Sequence, residues 1–182
     1  MIIELANILD QQTCNEIIQF YEEHPEFYQK DDAQEMFNNT TMCIEHVTGD
    51  LARKFEVLKN KILIKAAQFY NLEEIYLDFW TICKWPPGKS MEFHADNVTD
   101  KREPHWYCWW RDFSAIVYLN HNYEGGRTVF KHQNQSAVPT AGTGVMFPST
   151  FGYTHGVSEV KKNDRYTIAL WLTKDSNHAR IK

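Results

Sequence analysis

The chain has little of what a membrane, disulfide-stapled or nucleic-acid-coating protein needs. Across its 182 residues no apolar run approaches the length of a membrane span. Its 19 Lys and Arg are outnumbered by 24 Asp and Glu, and a net charge of −5 argues against a general nucleic-acid binder. The four cysteines, Cys14, Cys43, Cys83 and Cys108, form no C-x-x-C pair and no framework spacing, so they read as reduced thiols in a cytoplasmic setting. The opening MIIELANILD has a short apolar run, carries Glu4 and lacks a basic start, so no secretion signal is expected. Without secretion, the Asn-x-Ser/Thr triplets beginning at Asn39, Asn97 and Asn134 carry no meaning. There is no internal repeat and no low-complexity stretch. What remains, at 43% hydrophobic and 14% aromatic, is a globular chain of one-domain size.

The elements change character near residue 72. Residues 2–9 alternate loosely and suggest a short strand. Cys14, Ile17, Ile18 and Tyr21 follow helical spacing, which predicts an amphipathic helix over 12–24, ending before Pro25. From 24 to 50 there are polar turns and a short strand at 41–45. A second helix is predicted over 50–70, its core stripe being Leu51, Phe55, Leu58, Ile62, Ala66 and Phe69. Beyond it come strands: 75–85, stopped by Pro86-Pro87-Gly88; 113–120, apolar on both faces; 127–132; 142–147; 152–160; and 165–173. Many short strands with Gly and Pro turns and no intervening helices point to a barrel or jelly roll. The expectation is an α+β, mainly β protein, with N-terminal helices packed on one sheet. One domain spans 1–182, with support from 1–72, a catalytic core at 73–174 and a tail at 175–182.

Four residues carry the chemistry: His94, Asp96, His155 and Arg165. His94 and Asp96 are two apart in FHAD and so share a face of an extended strand. With eight His and ten Asp, chance alone supplies about 0.4 such triplets, and a solvated His–Asp pair at a strand end is the plain alternative. Order and context raise the reading. The triplet follows a Pro-Gly turn, a second histidine stands in GYTHGV, and an arginine opens the next apolar strand. Two imidazoles and one carboxylate on one face of an ion form the facial triad of non-haem Fe(II) oxygenases. On the last strand Arg165, Thr167, Ala169 and Trp171 share one face, opposite Tyr166, Ile168, Leu170 and Leu172. An arginine turned inward there needs an anion, and its planar fork suits a carboxylate.

These pieces in order (WPPG, HADN, VYLN, EGGRTVF, THGV and DRYTIALW) make residues 76–173 resemble the prolyl 4-hydroxylase branch of the Fe(II)/2-oxoglutarate-dependent dioxygenases. The resemblance implies a double-stranded β-helix in which His94, Asp96 and His155 hold Fe(II). It implies that Arg165 binds the distal carboxylate of 2-oxoglutarate, helped by Tyr118 and Thr167, with Trp171 packed beside cosubstrate and metal. Gly125 and Gly126 match the family's turn. Trp85 departs from it, standing where the family usually has a tyrosine hydroxyl. O2 is the oxidant and ascorbate a supporting reductant; oxidative decarboxylation to succinate and CO2 accompanies hydroxylation of a C–H bond.

The resemblance favours prolyl residues of a peptide or protein as substrate, with no nucleic acid and no membrane involved. A free amino acid or other small molecule stays open as the substrate, as does a jelly-roll module that binds metal without turnover. Nucleic-acid demethylation is disfavoured, since Trp171 stands where that branch's second arginine would be. Trp106, Tyr107, Trp109 and Trp110 follow the metal motif and either clamp an extended peptide or fill core. Arg111, at the head of the VYLN strand, matches an arginine that meets substrate, and Trp109 joins it as a candidate substrate contact. His105, His121 and His132 read as ordinary loop or strand histidines.

Overall fold

The helical stripes and alternating strands become three layers. A computed structural model of the chain describes residues 1–29 and 40–180. Asn39, the middle of the 24–50 segment and the last two residues of the tail lie outside the described residues. In chain order the elements are β1 (Ile3–Leu5), α1 (Gln11–Glu23), β2 (Thr40–Cys43), α2 (Gly49–Tyr70), β3 (Tyr76–Trp85), β4 (Met91–His94), β5 (Phe113–Tyr118) and β6 (Glu124–Gly125). There follow β7 (Thr128–Phe130), β8 (Gln135–Ser136), β9 (Gly144–Pro148), β10 (His155–Val157), β11 (Val160–Lys162) and β12 (Arg165–Thr173). No described helix is long and apolar enough to cross a membrane.

Each helix has a local cause. Asp10 caps α1, its carboxylate accepting the Thr13 N–H at 2.6 Å, and Cys14, Ile17 and Tyr21 form the buried stripe. On α2 the buried positions are Phe55, Leu58, Ile62 and Ala66, and Asn71 closes the helix in the left-handed conformation. Phe69 departs from the expected stripe: it is 46% exposed. The stripe runs out of sheet at the helix end. Tyr70 takes the packing there, stacked 4.2 Å from Phe113 with its hydroxyl on the Met1 carbonyl.

The large antiparallel sheet has the order β1-β9-β5-β12-β3-β2, and a smaller one the order β4-β10-β7-β8. The helices cover the outer face of the large sheet, where Tyr166, Ile168, Leu170 and Leu172 join Phe55, Leu58 and Ile62 in one core. Its inner face meets the small sheet through Tyr118, Phe130, Val145 and Phe147. This is the expected jelly roll. β5 and β12 are central and buried on both faces, as their unbroken apolar character requires.

The segment 152–160 breaks where a single strand was expected. A 3-10 turn at Phe151–Tyr153 leads into β10, and after Val157 the chain leaves the small sheet to pair as β11 with β6. Gly125 permits this crossing: its φ is +74°, and a Cβ there would sit 2.0 Å from the Glu159 carbonyl oxygen. Gly126 does the same for the site, since its Cβ would lie 2.9 Å from Arg165 Cδ.

Candidate metal centre

The sheet register brings the two histidines together. His94 at the end of β4 and His155 at the start of β10 are direct cross-strand partners, their rings 4.5 Å apart. Asp96 follows two residues after His94, in a turn held by its N–H on the Ser149 carbonyl at 3.1 Å. One Asp96 oxygen, Oδ1, lies 3.7 Å from His94 Nε2, and the other, Oδ2, lies 3.6 Å from His155 Nε2. One ligand atom from each residue falls within 4.8 Å of the others. These gaps exceed a hydrogen bond and suit three donors sharing one ion.

The protons are arranged for ligation. His94 Nδ1 donates to the Glu92 carbonyl at 3.0 Å, and His155 Nδ1 to the Tyr153 carbonyl at 3.1 Å. Each imidazole so held turns its Nε2 toward Asp96. Burial pushes His155 down to about 4, against the pull of Asp96, so this ring is neutral near pH 7. For Asp96 burial acts upward, but the imidazoles of His155 and His94 and the Ser114 hydroxyl outweigh it and hold the carboxyl below its usual range. Phe147 and Phe130 wall the His155 ring. Two imidazoles and a carboxylate make a donor set that fits Fe(II).

Elsewhere between the sheets, the surroundings of Arg165 are short of anions among the described residues. Arg165 is 1% exposed, with one guanidinium N–H on Thr128 Oγ1 at 3.3 Å and its Nε without a partner. No carboxylate among the described residues pairs with it. Its fork lies among the rings of Trp85 and Tyr118, 5.4 and 5.6 Å from their centroids, and beside the Tyr123 hydroxyl. Trp85 Nε1 and Tyr123 OH are likewise buried without partners. Tyr118 is spoken for, its hydroxyl donating to Thr128 Oγ1 at 2.9 Å. An unpaired buried cation costs several kcal/mol, roughly 3–5 by analogy with broken ion pairs. A carboxylate there would supply the missing charge, and Trp85 and Tyr123 are orphaned polar groups beside it.

Of the other expected residues, Thr167 lies on the inner face beside Cys83, its register partner. Trp171 stands at the metal end. Its ring stacks on Phe79 at 5.9 Å, and its N–H acts on Asp96 without reaching hydrogen-bond geometry. Arg111 packs 4.4 Å over the Trp171 ring while its Nε donates to Asp78 at 2.8 Å. Asp78 sits at a bulge in β3, which re-aims its side chain to take Trp110 Nε1 as well, at 3.0 Å. The aromatic loop divides: Trp110 packs against His178, whereas Trp106 is 86% and Trp109 53% exposed. Cys108 Sγ donates to the Asp96 carbonyl at 3.1 Å, which ties the loop to the metal turn. The sequence reading missed Ser114, Ser149, Tyr123, Thr128 and Asp78. Strand parity marks Ser114 and Thr128 as polar residues on inward positions, but nothing local marks Asp78 or Ser149.

Residues 80–173, a little over half of the chain, match the family model of the 2OG-Fe(II) oxygenase superfamily. The chain belongs to that superfamily. Its cofactor set is therefore Fe(II), 2-oxoglutarate and O2. Among curated proteins this oxygenase is 39% identical over 102 residues to prolyl 3-hydroxylase 1 of Gallus gallus, and 35% identical over 105 residues to prolyl 3-hydroxylase 2 of Homo sapiens. Those matches take in 50% and 51% of this chain but only 14% and 15% of the relatives' length. The fold is shared with a Pseudomonas putida prolyl-4-hydroxylase, at TM-score 0.73 and 17% identity over 96% of this chain and 93% of that one. It is also shared with a Trichoplax adhaerens prolyl hydroxylase solved with a hypoxia inducible factor peptide fragment, at TM-score 0.72 and 15% identity over 97% and 84%.

Proposed function

We propose that this oxygenase hydroxylates prolyl residues of a peptide or protein, converting 2-oxoglutarate and O2 to succinate and CO2. The observation that carries the reading is the meeting, between the two sheets, of a complete His94–Asp96–His155 donor set and a buried Arg165 with no carboxylate partner among the described residues. The prolyl 3-hydroxylase identity across the catalytic half supports the substrate class. Which ring carbon is attacked divides the similar proteins, since those of known structure include a prolyl-4-hydroxylase. The exposed Trp106 and Trp109, on the loop tied to Asp96 through Cys108, favour an extended peptide over a free amino acid, since flat apolar faces suit a proline ring. The four free cysteines support the cytoplasmic setting.

In this reading His94, Asp96 and His155 hold Fe(II), which when bound activates O2 for attack on a C–H bond. Arg165 grips the distal carboxylate of 2-oxoglutarate, with Thr128 and Tyr118 fixing the guanidinium in register. Trp85 and Tyr123 complete the polar wall, and Thr167 closes the inner face beneath. Phe130 and Phe147 keep water from the His155 side. Arg111, held by Asp78 through Nε alone, keeps its outer N–H groups for a substrate carbonyl, with Trp109 beside it. The test is succinate release from 2-oxoglutarate with Fe(II) and ascorbate, run with proline-rich peptides and with free amino acids. Peptide-stimulated succinate and a hydroxyproline mass shift are expected. Stimulation by a free amino acid alone would replace the peptide reading.

A further inference from the structure

Behind Asp96 lies a pair of buried hydroxyls outside the ligand set. Ser114 Oγ donates to Asp96 Oδ2 at 2.6 Å, and Ser149 Oγ lies 2.8 Å from Ser114 Oγ. The two serines are 2% and 1% exposed. The Ser149 carbonyl also accepts the N–H groups of Asp96 and Asn97, at 3.1 and 3.3 Å. One residue at the end of β9 thus fixes the backbone of the metal turn and, through Ser114, its side chain. The sheet sets this up, because Ser114 is the register partner of Trp171 on one side and Phe147 on the other.

The Asp96 carboxylate offers its oxygens to the two imidazoles almost evenly, Oδ1 at 3.7 Å from His94 and Oδ2 at 3.6 Å from His155. Distance alone therefore does not choose between one-oxygen and two-oxygen ligation. Ser114 breaks the tie with a short, charge-assisted bond to Oδ2. The choice matters because three ligand atoms leave three positions on an octahedral ion: two for a chelating keto acid and one for O2. A carboxylate bound through both oxygens takes one of them.

We infer that Ser114, backed by Ser149, is a positioning residue that confines Asp96 to one-oxygen ligation and so keeps a coordination position open. The inference rests on reading the triad as the Fe(II) site and Arg165 as the 2-oxoglutarate anchor. Co(II) is a suitable probe, since its visible absorption reports coordination number. Wild type, Ser114→Ala, Ser114→Thr and Ser149→Ala are loaded with Co(II) and titrated with 2-oxoglutarate. Ser114→Ala is expected to bind Co(II) at least as tightly as wild type and to show an altered spectrum before 2-oxoglutarate is added. Its 2-oxoglutarate affinity is expected to fall about tenfold, the scale of one charge-assisted hydrogen bond. Ser114→Thr, which keeps a hydroxyl, restores both, and Ser149→Ala falls between. A wild-type spectrum and wild-type 2-oxoglutarate affinity in Ser114→Ala overturn the inference. So does a loss of Co(II) binding and thermal stability that threonine fails to restore, for the hydroxyl then only supports the fold. If wild type itself takes up no Co(II), or its spectrum ignores 2-oxoglutarate, the underlying site reading fails along with the inference.

Discussion

Between the two sheets, the candidate metal ligands and the donors around Arg165 differ in how completely they are satisfied. The orphaned groups near the ligands, Trp171 Nε1 and Asn97 Oδ1, are not ligand atoms themselves. At the metal end both histidine Nδ1 groups have carbonyl partners, and Asp96 is held through its backbone N–H and through Ser114. At the Arg165 end, Arg165 Nε, Trp85 Nε1 and Tyr123 OH are buried with no partner. The chain organises the metal ligands from within, before any ion arrives. It leaves the other end wanting negative charge, so in the proposed reading the cosubstrate completes part of the protein's own hydrogen bonding. Binding there relieves a penalty already present in the fold.

That contrast can be broken in several ways. The largest effect belongs to the ligands: His155→Ala or Asp96→Ala should abolish both metal uptake and turnover, read by Co(II) absorption and succinate formation. Retained Co(II) binding in either variant would mean the ion sits elsewhere. Arg165→Ala should leave Co(II) binding within a few-fold of wild type while weakening 2-oxoglutarate by about 2–5 kcal/mol. Without 2-oxoglutarate its melting temperature should not fall, because the variant loses an unpaired buried charge along with the packing of its stem. A large drop would show that Arg165 already has a partner.

Saturating 2-oxoglutarate, at about 100 times Kd, should raise wild-type stability by about 2.7 kcal/mol and leave Arg165→Ala unmoved, measured by thermal unfolding at fixed metal. Thr128→Val strips the acceptor from both Tyr118 and Arg165. A loss of about 1–3 kcal/mol in unfolding free energy is expected, together with weaker 2-oxoglutarate binding. The gentlest probe is pH on the metal-free protein. His155 is neutral in the fold and titrates about 4, against 6.5 for the ordinary side chain, so the unfolded chain binds more protons between those values. Stability should therefore fall as pH drops from about 6.5 toward 4. The slope should flatten in His155→Gln and stay unchanged in Arg165→Ala.

Much of this was legible from residue order because the site lies on strands, where side-chain direction follows a period of two. That period assigned Arg165 and Thr167 to the inner face of β12 and Tyr166, Ile168 and Leu170 to the helix-covered face, as observed. It failed at 152–160, where a crossing between sheets depends on Gly125 lying against Glu159, far away in sequence. The aromatic loop was undecidable for a similar reason. Trp110 faces inward because Asp78, on a bulged strand, and His178, near the tail, are there to receive it. Trp109 meets His178 only edge-on, at 5.9 Å, and stays half exposed, and Trp106 stays more exposed still.

The sequence by itself determined the family, the candidate metal donors that the fold brings together and the inward arginine, since these depend on residue type, order and strand parity. Only the tertiary structure decided that Ser114 and Ser149 stand behind Asp96, that Thr128 ties Tyr118 to Arg165, and that among the described residues no carboxylate stands beside Arg165. Those facts are distances between residues on different strands. Register and sheet crossing fix them, and neither is written in any local stretch of the chain.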